Sequence, residues 1–349
     1  MLTQSHQLMS PLENCPHNIQ YISDECNGFK RIPKGDKFIY KTKNGKVVKK
    51  KSLLKRFDSL VIPPMWTEVW ICEHEFGHLQ ATGYDQKLRK QYIYHPLWID
   101  FRQKQKYAKL FKFGQILPVI RRQAMQDIQL KGWPKKKILA VLVSLLDQHY
   151  IRIGNQVYRK ENETYGLTTL RRKHLEDEGS KLKLSYKAKS GKYRNITIKN
   201  QKLANLIRKS SELPGYEVFR YIDEHGKSQK LDSSDVNEYL YNITESHFTA
   251  KDFRTWGGTV VAIDSYPAAL KVVEENTRLN LETTIVKKVA KVLGNTIATC
   301  REYYIHPKVL KILTQGELAQ YEQKKPPKVK YQKELRKNEL LALSMIHNK

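Results

Sequence analysis

Tyr303 and Tyr304 follow the segment Leu293-Gly294-Asn295-Thr296 closely, with Asn295 nine residues before Tyr304. Three cation-bearing segments precede them: Ile151-Arg152-Ile153-Gly154-Asn155, Tyr186-Lys187-Ala188-Lys189-Ser190-Gly191-Lys192 and Asp252-Phe253-Arg254-Thr255-Trp256-Gly257. A tyrosine among arginines and lysines has the parts for nucleophilic attack on a phosphodiester. That chemistry needs an activated attacking oxygen, stabilised charge on the phosphoryl oxygens, and a proton for the leaving oxygen. Metal enzymes meet these needs with carboxylate-held Mg²⁺. These segments hold no cluster of Asp and Glu of that kind, so their cations point to a solution without a metal. Singly, each residue also has an ordinary reading. Arg152 could be a surface charge, the two tyrosines helix-packing aromatics, and Lys189 a hairpin lysine beside Lys187 and Lys192.

A second pattern points elsewhere. His74-Glu75-Phe76-Gly77-His78 has the H-E-x-x-H spacing that binds zinc when both histidines share a helix face. Strand-like residues on both sides and Gly77 disfavour a helix, so the expected structure is a turn between two strands with no metal.

The elements that must position these residues fall into two regions. From Phe38 to His95 the chain reads as short strands and turns, with Asn44-Gly45 suited to a hairpin. Eight basic residues and no acidic one lie between Lys41 and Arg56, a hairpin edge facing a polyanion. Gln103 to Lys131 is helix-like with a break at Pro118, and Pro134 opens a helix whose run 138–143 is apolar on every face. Residues 182–198 alternate about Ser190-Gly191 as a hairpin, and 219–229 form another about His225-Gly226. Helices return from Ser233 to Leu318. The expected class is α+β: a small, mainly β N-terminal domain and a mainly α C-terminal catalytic domain carrying a small β-hairpin sheet. The expected bounds are 1–27 loosely ordered, 28–98 N-terminal domain, 99–320 catalytic domain and 321–349 basic tail, with a flexible join near 96–108.

Charge supplies the partner. Among 349 residues, 63 Lys and Arg against 35 Asp and Glu give a net charge of +28, which favours a polyanion such as nucleic acid. There is no apolar run of about eighteen residues to suit a membrane span. The first residues lack the pattern of a secretory signal, and the four cysteines are scattered, so a cytoplasmic, nucleoid-associated protein with reduced thiols is expected.

In order and spacing these segments resemble the type IB DNA topoisomerases, in their compact bacterial and poxvirus-like branch. Ile62-Pro63-Pro64-Met65-Trp66, Gln80-Ala81-Thr82-Gly83-Tyr84-Asp85, Arg89-Lys90-Gln91-Tyr92-Ile93-Tyr94 and Tyr165-Gly166-Leu167-Thr168-Thr169-Leu170 extend the likeness from Phe29 to Leu318. The resemblance implies that Tyr304 attacks the scissile phosphate to give a 3′-phosphotyrosine and a 5′-hydroxyl. Arg152 and Arg254 would hold the nonbridging oxygens, and Lys189 would protonate the leaving oxygen. Asn295 stands where many relatives have His, keeping a hydrogen-bond donor but losing charge and proton transfer. Gln91, Tyr92 and Tyr94 would contact bases, with Arg89, Lys90, Tyr158 and Lys251 on phosphates. Relaxation of supercoiled duplex DNA would then need neither ATP nor metal, in a monomer closing around DNA as a clamp.

Two rival readings remain open on the sequence. Tyrosine recombinases share the Arg, Lys and Tyr chemistry but typically carry His-x-x-Arg where this chain has Lys251 before Arg254. A basic DNA-binding protein without enzymatic activity needs none of these groups.

Overall fold

The computed structural model describes residue 15, residues 18–156, residue 159 and residues 162–347. The chain divides into two compact units, residues 1–106 and 107–349. It combines an antiparallel sheet in the first unit with a largely helical second unit carrying two small sheets, the α+β class expected.

The first unit is a five-stranded antiparallel sheet in the order β2-β1-β3-β4-β5. Its strands are β1 (Gly28–Lys34), β2 (Lys37–Lys41), β3 (Thr67–Cys72), β4 (Leu79–Tyr84) and β5 (Lys90–Tyr94). Phe29, Val48, Phe57, Val69, Ile71 and Ala81 form its core. Phe57 comes from a helix, α1 (Lys51–Ser59), where strands and turns were expected. Leu53, Leu54 and Phe57 recur at helical spacing against the sheet, which the density of lysines obscured. The basic run is therefore not one hairpin edge. It crosses the end of β2, the Asn44-Gly45 turn and α1. Arg56 is spent internally, donating to the Cys72 carbonyl at 3.0 Å and Gln80 Oε1 at 2.8 Å.

His74 to His78 form the expected turn between β3 and β4. His78 is buried, accepts the Ile22 N–H at Nδ1 (3.0 Å) and stacks on Tyr21. Residues 18–27, expected to be loose, are pinned in part. Ile19 is buried, Gln20 bridges to Gly77, and Asp24 pairs with Lys90 at 2.6 Å.

Helix α2 (Pro96–Asp127) is longer at its start than the pattern predicted, and Pro118 does not interrupt it. Pro96 occupies the first turn, where its missing N–H costs nothing. At Pro118 one helical hydrogen bond is lost, but burial of Leu117 and Ile120 beside it outweighs the loss. The segment 96–108, expected as a flexible join, is helical.

The second unit is built on α3 (Lys135–His149), buried from Ile138 to Val143 as its apolar run required. Sheet β6 (Leu175–Asp177), β7 (Leu182–Lys187), β8 (Tyr193–Ile198) and hairpin β9 (Arg220–Ile222)–β10 (Ser228–Lys230) are antiparallel. Around them run α4 (Gln201–Ser211), α5 (Ser233–Thr244), α6 (Ala250–Glu275), α7 (Leu281–Leu293), α8 (Ile297–Tyr303), α9 (Pro307–Thr314), α10 (Leu318–Glu322) and α11 (Lys337–Ile346).

The last of these corrects the reading of 321–349 as a tail. Helix α11 buries Leu341, Ala342, Leu343, Met345 and Ile346 in the main core. Its Glu339 is fully buried between Arg121 and Arg336, and Arg121 also pairs with Asp147. Lysines dominate the stretch before α11, while the apolar helix itself follows them and was hidden by the charge average.

Candidate active site

Arg152 leaves the end of α3 through Tyr150, a left-handed cap residue (φ 53°). Its backbone is held by the following loop: Leu167 N–H donates to the Arg152 carbonyl at 3.0 Å and Thr168 N–H to Ile153 at 2.7 Å. Gly166 makes this approach feasible, because a Cβ there would lie 2.6 Å from the Arg152 carbonyl oxygen. The guanidinium donates to Asn295 Oδ1.

Arg254 sits on the second turn of α6, only 4% exposed. Its guanidinium donates to the Tyr150 carbonyl and, at 3.0 Å, to the Leu293 carbonyl, so it joins the ends of α3 and α7. The two glycines that follow permit the packing around it. A Cβ at Gly257 would meet the Tyr150 ring at 2.2 Å, and one at Gly258 would meet the Tyr304 carbonyl oxygen at 2.4 Å. Lys251 is exposed one turn earlier on the same helix.

Helix α7 ends at Gly294 in the left-handed conformation (φ 64°), which a glycine adopts freely, and Asn295 follows. With Oδ1 on Arg152, Asn295 has its Nδ2 buried beside the Cys300 thiol. There it makes no hydrogen bond of acceptable geometry with any described residue. Tyr304 caps the end of α8, and the chain beyond is fixed by the His306 N–H donating to Thr259 Oγ1 at 3.0 Å.

The Tyr304 ring lies 5.1 Å from the Arg254 guanidinium carbon. Burial pushes its phenol up, but Arg254, Arg152 and Lys251 together outweigh that and leave it below the usual tyrosine value. Tyr303 differs. It is exposed and is pushed up to about 12 by its hydrogen bond with Glu302 and by partial burial. Burial, then the neighbouring Arg254 charge, brings Arg152 down to about 10, so it remains a cation at neutral pH.

A third arginine escaped the sequence reading. Arg194 on β8 stands directly across from the buried Tyr186 on β7, beside the Tyr186 hydroxyl. It donates to the Val292 carbonyl at 2.8 Å. The signal was present in Arg194-Asn195-Ile196-Thr197-Ile198, where Arg194 has the same strand phase as the buried Ile196 and Ile198. The acceptors found for Arg152, Arg194 and Arg254 among the described residues are all neutral oxygens. Such a cluster, short of counter-charge and closed by a lowered phenol, suits a phosphate.

Arg152, Arg254, Asn295 and Tyr304 are thus brought together. Lys189 is exposed at the β7–β8 tip, where Ser190 (φ 65°) and Gly191 (φ 73°) turn the chain. Lys192 from the same tip donates to the Asn295 carbonyl at 2.9 Å. Tyr158 lies outside the described residues.

In the first unit, Lys90, Tyr92 and Tyr94 share the exposed face of β5, with the tyrosines stacked at 6.1 Å and 48% and 38% exposed. Arg89 and Gln91 both donate to Asp85 Oδ2, Arg89 Nη2 at 2.6 Å and Gln91 Nε2 at 3.0 Å.

No helix of the described residues is long and apolar enough to cross a membrane. Residues 96–334 match the family model of the eukaryotic DNA topoisomerase I catalytic core. Residues 37–85 match that of the bacterial DNA topoisomerase IB N-terminal domain. DNA topoisomerase 1B of Acanthamoeba polyphaga mimivirus is 31% identical over 286 residues, spanning 80% of this chain and 85% of that protein. DNA topoisomerase I of monkeypox virus is 24% identical over 251 residues, spanning 71% and 76%. DNA topoisomerase 1B of vaccinia virus (strain Copenhagen) is 23% identical over the same length and shares. With its catalytic-core match covering most of the second unit and a mimivirus relative matched over most of both chains, the chain belongs to the type IB DNA topoisomerases.

Proposed function

We propose that this topoisomerase relaxes supercoiled duplex DNA through a transient 3′-phosphotyrosine on Tyr304, without ATP. The observation that carries the reading is the lowered Tyr304 phenol beside Arg254, in a pocket whose arginines have no carboxylate partner among the described residues.

The Tyr304 oxygen attacks the scissile phosphorus as its proton leaves, a loss favoured by Arg254, Arg152 and Lys251. Charge gathering on the nonbridging oxygens is met by Arg152 and Arg254, whose planar guanidiniums suit paired oxygens. Asn295 Nδ2, buried without a good acceptor, supplies a neutral donor to the same oxygens. Lys189 gives its proton to the 5′ oxygen as the P–O5′ bond breaks. One phosphodiester is exchanged for another, so the step is close to isoenergetic. Torsional strain drives the swivel, and the 5′-hydroxyl attacks the phosphotyrosine to reseal the strand and release Tyr304. Lys90, Tyr92, Tyr94 and Gln91 on β5, with Arg89, contact the duplex, and Lys251 adds a phosphate contact. The protein acts as a monomer.

The test is relaxation of a supercoiled plasmid in EDTA without ATP. Wild-type protein should relax it and Tyr304→Phe should not. Relaxation by Tyr304→Phe, or an absolute requirement for ATP, contradicts the proposal.

A further inference from the structure

The hairpin that carries Lys189 is tied to the turn that carries Asn295 at two points. Lys192 donates to the Asn295 carbonyl at 2.9 Å, and Arg194 donates to the Val292 carbonyl at 2.8 Å. Both donors come from the same side of the hairpin, two residues apart across the start of β8. Both acceptors lie in the four residues that end α7 and lead into Asn295.

Arg194 is itself fixed. Its cross-strand partner is Tyr186, three residues before Lys189, and the Tyr186 ring is buried. On its other side Arg194 fills the space over Gly294, where a Cβ would come within 2.6 Å of Nη1. A side chain at position 294 would have to displace the guanidinium, so Gly294 serves both the left-handed turn and this contact.

We infer that Lys192 and Arg194 form a latch that registers the Lys189 hairpin against the Asn295 turn. The proton donor then reaches the 5′ oxygen in step with the groups that hold the phosphate. Both are positioning residues for strand cleavage, and the inference rests on Lys189 as the proton donor. Lys189 stands at an exposed tip, so its geometry at the phosphate depends on what holds the hairpin. Misplacement of a reacting group by about 1 Å costs on the order of 100-fold in rate.

Leaving-group chemistry separates this role from general damage. In normal DNA the P–O5′ bond breaks and O5′ takes a proton. With a 5′-bridging phosphorothiolate, Tyr304 forms the same P–O bond while sulfur departs as a stable thiolate, and no proton is needed. Single-turnover cleavage of matched oxygen and sulfur duplexes would be measured for Lys189→Ala, Lys192→Ala, Arg194→Ala and, as a control, Arg254→Gln.

The latch predicts that Lys192→Ala and Arg194→Ala cut the oxygen duplex about 10- to 100-fold slowly. On the sulfur duplex they should return to within a few-fold of wild type, as Lys189→Ala does, while Arg254→Gln stays slow. Lys192→Arg and Arg194→Lys keep a donor and should restore most of the oxygen rate. If Lys189→Ala is rescued by sulfur and the latch variants are not, the latch is wrong. If Lys189→Ala itself is not rescued, the assignment of Lys189 fails. If Lys192→Ala is rescued but Lys192→Arg is as slow as Lys192→Ala, Lys192 is the proton donor and the latch is overturned. Should Arg194→Ala fail to fold, exposed Lys192 carries the test alone.

Discussion

Two groups of arginines in the second unit are treated in opposite ways. Arg121 and Arg336 meet Glu339 at 2.7 and 2.9 Å, and Arg121 also meets Asp147 at 2.8 Å. There the charges are answered within the chain, and Glu339 is held at about 2: burial raises it, but Arg121 and Arg336 outweigh that. Around Tyr304, Arg152, Arg194 and Arg254 meet carbonyl, amide and phenol oxygens instead. Desolvating a cation without a counter-ion is costly. Arg254 is buried and Arg152 and Arg194 are half-buried with no carboxylate partner among the described residues, which suits a place kept for an anion from outside. On the proposed function, the first cluster serves stability and the second serves the chemistry.

Replacing Glu339 by Ala should break the first cluster most severely. It opens a hole where the fully buried carboxylate stood and leaves the half-buried Arg121 with Asp147 as its one carboxylate partner among the described residues. Unfolding stability should fall by about 3–5 kcal/mol, measured by denaturant titration. Wild-type stability should also fall in acid. The folded Glu339 value is depressed, so its contribution is present above about pH 4, the ordinary carboxylate range. It is then lost as pH drops toward about 2. The variant should lack this part of the acid dependence. Cleavage by folded Glu339→Ala should stay within a few-fold of wild type.

Arg254→Gln should do the reverse. Loss of a charged donor to the phosphoryl oxygens should slow single-turnover cleavage by about 10²–10³-fold. Gln cannot reproduce both of its backbone hydrogen bonds, so stability has to be followed in parallel. A rate loss no greater than that of Glu339→Ala would erase the distinction between the clusters.

Asn295→Ala removes a single neutral donor, and a loss of about 3- to 10-fold is expected. The smallest effect is expected at Lys251. If tyrosinate is the attacking species, cleavage rises with pH up to the Tyr304 value, which lies below the ordinary value of about 10. Lys251→Gln withdraws one lowering charge, so the midpoint of that rise should move to higher pH in a pH–rate profile. A shift to lower pH would contradict the electrostatic account.

Much of this division was legible in the chain. Alternation exposed the β7–β8 hairpin and the apolar run exposed α3, because both signals are local and periodic. The grouping of Arg152, Arg254, Asn295 and Tyr304 was legible only through motif order, since their segments are joined by the tertiary packing of α3, α6, α7 and α8. Charge misled in two places. Lysines on the outer face of α1 hid its Leu53, Leu54 and Phe57 stripe, and basic residues before α11 hid a helix belonging to the core. Pro118 misled because tertiary burial overrides a local helix breaker. Arg194 was missed because a lone arginine in a strand looks like surface charge until its phase is compared with Ile196 and Ile198.

The most direct test of the central claim, that the arginine cluster around Tyr304 serves a phosphate attacked by Tyr304, is the polarity of the covalent adduct. A duplex labelled at the 5′ end of the cleaved strand would be incubated with wild-type protein in EDTA without ATP and denatured. The account predicts a labelled protein–DNA band, because the phosphotyrosine keeps the 5′ fragment, and no band with Tyr304→Phe. A band that survives in Tyr304→Phe, or one seen only with a 3′-end label, would contradict it.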